Sequence, residues 1–180
     1  IIHLASISND PIGNEFKQIT NEINLQASKK LLKLALNSNV KKFVFASSCS
    51  MYGSADSGEK TESDDLNPLT AYARSKVAME KSLENLADAD FIVTALRFST
   101  ACGMSDRLRL DLVLNDFVVG ALTSGEISVL SDGTPWRPLI DVKDMSRAID
   151  WALDRFVKFD VPFLPINVGS REWNYQVKDL

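Results

Sequence analysis

A tyrosine and a lysine four residues apart, in Tyr72-Ala-Arg-Ser-Lys76, fall on one face of a helix, one turn from each other. A free tyrosine loses its proton near pH 10 and is a poor base at neutral pH. An ammonium held beside it favours the phenolate. A shift of about three units is worth about 4 kcal/mol, within reach of a desolvated lysine and a second positive charge. Ser48 ends the apolar run that precedes this segment. Parallel α/β sheets place their ligands at the carboxyl ends of strands, and Ser48 is expected at such an end. A Ser–Tyr–Lys set of this kind takes the proton off a hydroxyl, which is the acid–base half of an alcohol oxidation.

Positioning these groups requires a strand that ends at Ser48 and a helix that starts just before Tyr72. Val40 to Ala46 is β-branched and aromatic and reads as a strand. Gly53 to Pro68 is polar and rich in Gly, Ser, Asp and Pro, which reads as a loop. From Pro68 a helix is expected to about Ala87, with Val77, Ala78 and Leu83 inward. Ile1 to Ala5 and Phe91 to Phe98 are further apolar strands, and Leu164 to Gly169 is a last one. Glu15 to Asn37 has the helical period, with Ile19, Ile23, Ala27, Leu31, Leu34 and Ala35 forming one apolar stripe. A helix is also expected over Leu110 to Leu122, a strand over Ile127 to Leu130, a helix capped by Asp144, and a final helix starting at Trp173. Strands and helices alternate, which builds right-handed βαβ units and a parallel sheet with helices on both faces.

The run Lys41-Lys-Phe-Val-Phe-Ala-Ser-Ser48-Cys-Ser-Met-Tyr-Gly53, followed by Tyr72-x-x-x-Lys76, resembles the extended short-chain dehydrogenase/reductase family. More narrowly it is similar to the NAD-dependent nucleotide-sugar epimerases and dehydratases, over nearly all of the chain. The resemblance implies an α/β, Rossmann-type doubly wound parallel sheet with a smaller substrate-binding lobe. Residues 1–107 would belong to the NAD-binding domain with the catalytic helix. Residues 108–180 would be mainly substrate lobe, with some segments returning to the sheet. No Gly-x-x-Gly-x-x-Gly is present, so the sequence is expected to be a portion of a longer chain, without the N-terminal glycine-rich βαβ unit.

By the same resemblance Ser48, Tyr72 and Lys76 are catalytic. Leu4, Ala5, Ser6, Asn24, Ser47, Tyr72, Lys76, Phe98 and Ser99 would face NAD, with NADP left open. Ser48, Ser50, Thr100 and Arg137 would face the substrate. Arg137 lies in Ser131-Asp-Gly-Thr-Pro-Trp-Arg137-Pro-Leu-Ile-Asp141-Val-Lys-Asp144, which is similar to the segment whose Arg binds a nucleotide diphosphate, although Pro follows it here. Guanidinium suits phosphate through paired hydrogen bonds. Family dehydratases carry Thr-Asp-Glu at the places of Ser48, Cys49 and Ser50. Without those carboxylates dehydration needs an acid from elsewhere, and epimerisation through a keto sugar is the expected reaction. A sugar or ketone reductase on the same triad, and a catalytically silent dinucleotide-sensing or scaffold protein, are the alternatives. The family's habit of dimerising through a four-helix bundle implies a homodimer.

Composition excludes other classes. The chain has 180 residues, 45% of them hydrophobic, and a net charge of −4, as expected for an ordinary globular protein. No basic patch points to nucleic acid, and no apolar run approaches the ~20 residues of a membrane span. Two cysteines, Cys49 and Cys102, lack metal-ligand spacing and read as small buried thiols in a reducing compartment, so no metal and a cytoplasmic location are expected. His3, the single histidine, lies in an apolar strand and reads as packed rather than ligating.

Overall fold

The computed structural model describes residues 1–53, 58–156 and 161–180, apart from the side chains of residues 10 and 11. Four parallel strands form the main sheet in the order β1 (Ile2–His3), β2 (Lys42–Ser48), β3 (Ile92–Phe98) and β6 (Phe163–Val168). Register places Ser47, Arg97 and Asn167 on one rung, and Ser48, Phe98 and Val168 on the next. A second, three-stranded sheet joins β4 (Thr100–Cys102), β5 (Trp136–Asp141) and β7 (Asn174–Gln176). This is a parallel α/β architecture of the expected class.

The two faces of the main sheet are covered by different helices. On one, Phe43, Phe45, Val93 and Ala95 pack against Leu32 and Ala35 of α3 (Ser28–Asn37) and Met79 and Leu83 of α4 (Ala71–Glu84). On the other, Val44, Leu96 and Phe98 pack against Ala152 and neighbours on α6 (Val142–Asp154). Strand residues alternate between the two clusters, as the period of two requires. α4 starts cleanly because the Thr70 hydroxyl accepts from the Ala73 amide at 3.1 Å.

The predicted helix over Glu15 to Asn37 is built in four pieces. α1 (Asp10–Glu15) and α2 (Lys17–Asn21) lead into a π-helical turn, Glu22–Ala27, and then α3. The inward line is Thr20, Asn24, Ser28 and Leu32, each four residues apart. An α-helix advances about 100° per residue, so such a line drifts by about 40° at each step. A π turn closes i→i+5 and rotates less per residue, which takes the drift back. The expected apolar stripe therefore faces outward in its first half: Ile19 and Ile23 are 48% and 44% exposed. Hydrophobic period alone misassigned the face, because the buried line is polar and hydrogen-bonded.

Three further expectations are corrected. Residues 127–130 form no strand; Ile127, Val129 and Leu130 are exposed, and no neighbouring strand takes up their backbone. Trp173 ends a short 3₁₀ turn, and Asn174–Gln176 pairs antiparallel with β5 instead of starting a helix. The cap of α6 is Asp141, whose carboxylate accepts from the Lys143 amide at 2.8 Å, while Asp144 lies one turn in.

Gly53 sits where no other residue fits. Its φ is 75° and ψ is −146°, a region essentially reserved for glycine. A Cβ there would lie 2.3 Å from the carbonyl oxygen of Asn67. This close crossing lets the loop after the 3₁₀ turn Cys49–Tyr52 fold back against it, and the Asn67 amide then donates to the Met51 carbonyl at 2.9 Å.

Candidate active site

Ser48 is the last residue of β2, so its position is set by the register of the central sheet. Its hydroxyl donates to the Ser50 hydroxyl at 3.0 Å and accepts from the Ser50 amide at 3.2 Å. The two hydroxyls thus form a short relay at the carboxyl end of the sheet. Ser47, one rung below, is buried on the α4 side, and its hydroxyl has no hydrogen-bond partner. A buried unpaired hydroxyl is costly, and a bound group offering a donor or acceptor there would satisfy it.

Lys76 reaches this end of β2 from α4. It is 4% exposed, and its ammonium donates to the Ala46 carbonyl at 2.7 Å, two residues before Ser48. The same nitrogen lies 4.8 Å from the Phe45 ring centre and 5.3 Å from that of Tyr72, which is half-buried. Burial lowers the Lys76 pKa to about 8, with the charge of Glu80 pulling the other way. The lysine and tyrosine expected to act together are therefore adjacent, on one helix face, beside the strand end that carries Ser48.

Residues after β1 are pinned from α1 to α3. Leu4, Ala5 and Ser6 follow the strand directly. Asn24 binds the backbone of Ile7 at both ends of its amide: its oxygen accepts from the Ile7 amide at 2.8 Å, and its nitrogen donates to the Ile7 carbonyl at 3.0 Å. Asn24 thus positions the loop beyond Ser6. His3 is buried, shares a 2.7 Å hydrogen bond with the Ser28 hydroxyl and stacks on Phe45 at 5.9 Å between ring centres.

Burial, and then the positive charge of Lys76, hold the His3 pKa below its usual value. The unfolded chain binds a proton there below about pH 6.5, whereas the folded chain resists it. Stability should therefore fall as pH drops below about 6.5, by up to about 1.4 kcal/mol per unit, until the folded-state pKa is reached. In His3→Gln, which keeps a partner for Ser28, urea denaturation at pH 7 and 5.5 should show a smaller difference than in the wild type.

The remaining candidates divide. Phe98 is buried in the α6-side cluster, and Ser99 lies so close to Gly169 that a Cβ there would meet its hydroxyl at 2.2 Å. Thr100 opens β4, paired with Leu139. Arg137 is exposed and donates to the Trp136 carbonyl at 2.9 Å; its charge reaches Cys49, which places it on the Ser48–Ser50 side. Burial nevertheless pushes the Cys49 thiol up to about 11, so it stays protonated. A cleft of about 320 Å³ lined by Leu139, Asp144, Val168 and Trp173 contains none of Ser48, Tyr72 or Lys76. Among the described residues, no group of three or more His, Cys, Asp or Glu side chains is placed to hold a metal ion. No helix of the described residues is long and apolar enough to cross a membrane.

A buried polar network was missed from sequence. Arg97 and Glu80 face each other with side chains 5% exposed, and the guanidinium bonds both carboxylate oxygens. Arg97 also donates to the Tyr52 hydroxyl at 2.8 Å, which donates to Asn167 at 2.7 Å. The Asn167 amide in turn donates to the Glu62 carboxylate at 2.7 Å, tying the loop before α4 to β6. The signal was present: Glu80 continues the Tyr72–Lys76 spacing, and Arg97 is a charge inside an apolar strand.

Known proteins with this geometry bear on what it does. The chain is 29% identical over 178 residues to the uncharacterised UDP-glucose epimerase YtcB of Bacillus subtilis (strain 168), covering 96% of this chain and 53% of that protein. It is 30% identical over 195 residues to a UDP-glucose 4-epimerase of Caenorhabditis elegans, covering 97% and 54%. The structure of MoeE5 in complex with UDP-glucose and NAD superposes with a TM-score of 0.83 at 30% identity, over 99% of this chain and 58% of that one. The chain thus spans about half the length of the relatives it matches. The NAD dependent epimerase/dehydratase family model matches residues 1–169, and the chain belongs to that family.

Proposed function

We propose that the protein is an NAD-dependent epimerase acting on a nucleotide-diphosphate sugar through a transient keto intermediate. The observation that carries this reading is the buried Lys76 ammonium, fixed to the end of β2 beside Tyr72, in a chain of this family. Tyr72 takes the proton from a sugar hydroxyl, directly or through Ser48, and Lys76 holds the phenolate form. The Ser48–Ser50 relay steadies the hydroxyl that reacts. Leu4, Ala5, Ser6 and the unpaired Ser47 hydroxyl are the groups that would hold the dinucleotide, with Ser99 beside them. NAD, when bound, accepts the carbon-bound hydride and returns it. Arg137 would take the diphosphate by paired hydrogen bonds. Cys49, protonated and uncharged, offers no carboxylate to expel water, which favours epimerisation over dehydration.

The test uses the full-length protein with UDP-glucose and a trace of NAD. Interconversion of UDP-glucose and UDP-galactose without net NADH is expected. Accumulation of NADH would assign a dehydrogenase, and tight NAD binding with no turnover of either sugar would assign a sensor or scaffold.

The reading includes a homodimer. Ile12, Phe16, Ile19 and Ile23 are each 44–48% exposed along α1, α2 and the π turn, beside α4. An apolar strip of this kind marks an interaction surface. Paired Ile19→Glu and Ile23→Glu substitutions should shift the full-length protein from dimer to monomer in sedimentation velocity.

A further inference from the structure

Tyr72, Lys76 and Glu80 lie in one line down α4, each four residues from the next. A lysine and a glutamate at that spacing ordinarily pair. Here they do not: among the described residues Lys76 enters no ion pair, although it and Glu80 are both 4% exposed. Both oxygens of Glu80 are taken by Arg97, whose Nε lies 3.2 Å from each and whose Nη2 lies 2.8 Å from one. The remaining Nη1 of Arg97 is held by the Tyr52 hydroxyl at 2.8 Å and the Glu62 carbonyl at 3.3 Å, so the fork cannot swing away without breaking bonds to two other segments.

We propose that Arg97 is a positioning residue that keeps the Glu80 carboxylate off Lys76, leaving the ammonium to serve Tyr72. The proposal rests on the catalytic reading of Tyr72 and Lys76. The charged and titratable groups facing Lys76 are Tyr72 and Glu80 from α4 and His3 from β1; β2 presents the Phe45 ring and the Ala46 carbonyl, and β3 presents Arg97 behind Glu80. Of these only Glu80 carries a charge opposite to the ammonium. Burial disfavours the Lys76 charge, and Glu80 already opposes that effect from behind Arg97. Unmasked, the carboxylate would draw the ammonium down the helix and hold its proton more tightly.

The test compares full-length wild type, Arg97→Gln and the double variant Glu80→Gln/Arg97→Gln. One readout is the Lys76 titration midpoint by NMR of protein labelled with ¹³C-lysine, its signal assigned by its loss in Lys76→Arg. The other is turnover with UDP-glucose and NAD. Arg97→Gln should raise the midpoint by about one unit or more and cut turnover by about ten- to a hundredfold. Removing Glu80 as well should restore the midpoint to within about half a unit and turnover to within about threefold of wild type. A merely structural pair predicts the opposite, a double variant no better than the single, and that result overturns the proposal. Should Arg97→Gln not fold, the double variant decides by the same limits, and a tenfold loss of turnover with a displaced midpoint overturns it. If the midpoints behave as stated while Tyr72→Phe retains turnover, the role of Tyr72 fails and the masking of Glu80 stands.

Discussion

Replacing Tyr72 by Phe in the full-length protein should lower turnover of UDP-glucose by about 10²–10⁴-fold, the range that general acid–base catalysis supplies. The substitution removes one oxygen from a half-buried ring and leaves α4 its apolar contacts, so the fold should hold. NAD affinity should change little, because Lys76, Ser47 and the segment after β1 remain in place. Lys76 keeps its bond to the Ala46 carbonyl whatever stands at position 72. A variant that turns over at wild-type rate would remove Tyr72 from the mechanism. Loss of NAD binding in step with turnover would reassign it to holding the cofactor. Titrating NAD by fluorescence quenching alongside the rate separates these outcomes.

The largest effect on stability is expected at Phe45. Its side chain is 2% exposed in the α4-side cluster, stacks with His3 and underlies the Lys76 ammonium. Truncation to Ala removes the ring and leaves a cavity beneath a buried charge, at a cost of about 3–5 kcal/mol. Phe45→Leu, which keeps most of the volume, should cost under about 1.5 kcal/mol. Urea denaturation of the two variants measures the difference. Turnover should fall further in Phe45→Ala than unfolding explains, because Lys76 loses the surface that fixes its head group. Equal losses in both variants would show that the ring packs no better than any apolar side chain there.

What was legible in the sequence was what local chemistry dictates. The β-branched run before Ser48, the capped start of α4 and the Tyr72–Lys76 spacing each specify their own geometry, and alternation of elements gives the parallel sheet. What failed depended on partners. Ile127, Val129 and Leu130 have the composition of a strand, yet a strand exists only where a neighbour takes up its backbone. Asn174 to Gln176 was read as the start of a helix and is a strand, because β5 offers it an edge. Ile19 and Ile23 mark the apolar side of their helix and still face outward. The inward positions Thr20, Asn24 and Ser28 are polar groups whose acceptors and donors are backbone or His3, invisible to any hydropathy pattern. Arg97 and Glu80 were each visible, but their pairing across 17 residues is set by β3 lying beneath α4.

The π turn at Glu22–Ala27 makes its stretch of chain more sensitive to length than to composition. Deleting a single residue there would let the segment relax to ordinary α geometry, and everything on one side would be turned by about 100° relative to the other. Asn24 would let go of Ile7 and Ser28 of the imidazole in one event, unfastening the stretch behind β1 although no side chain in it had been altered.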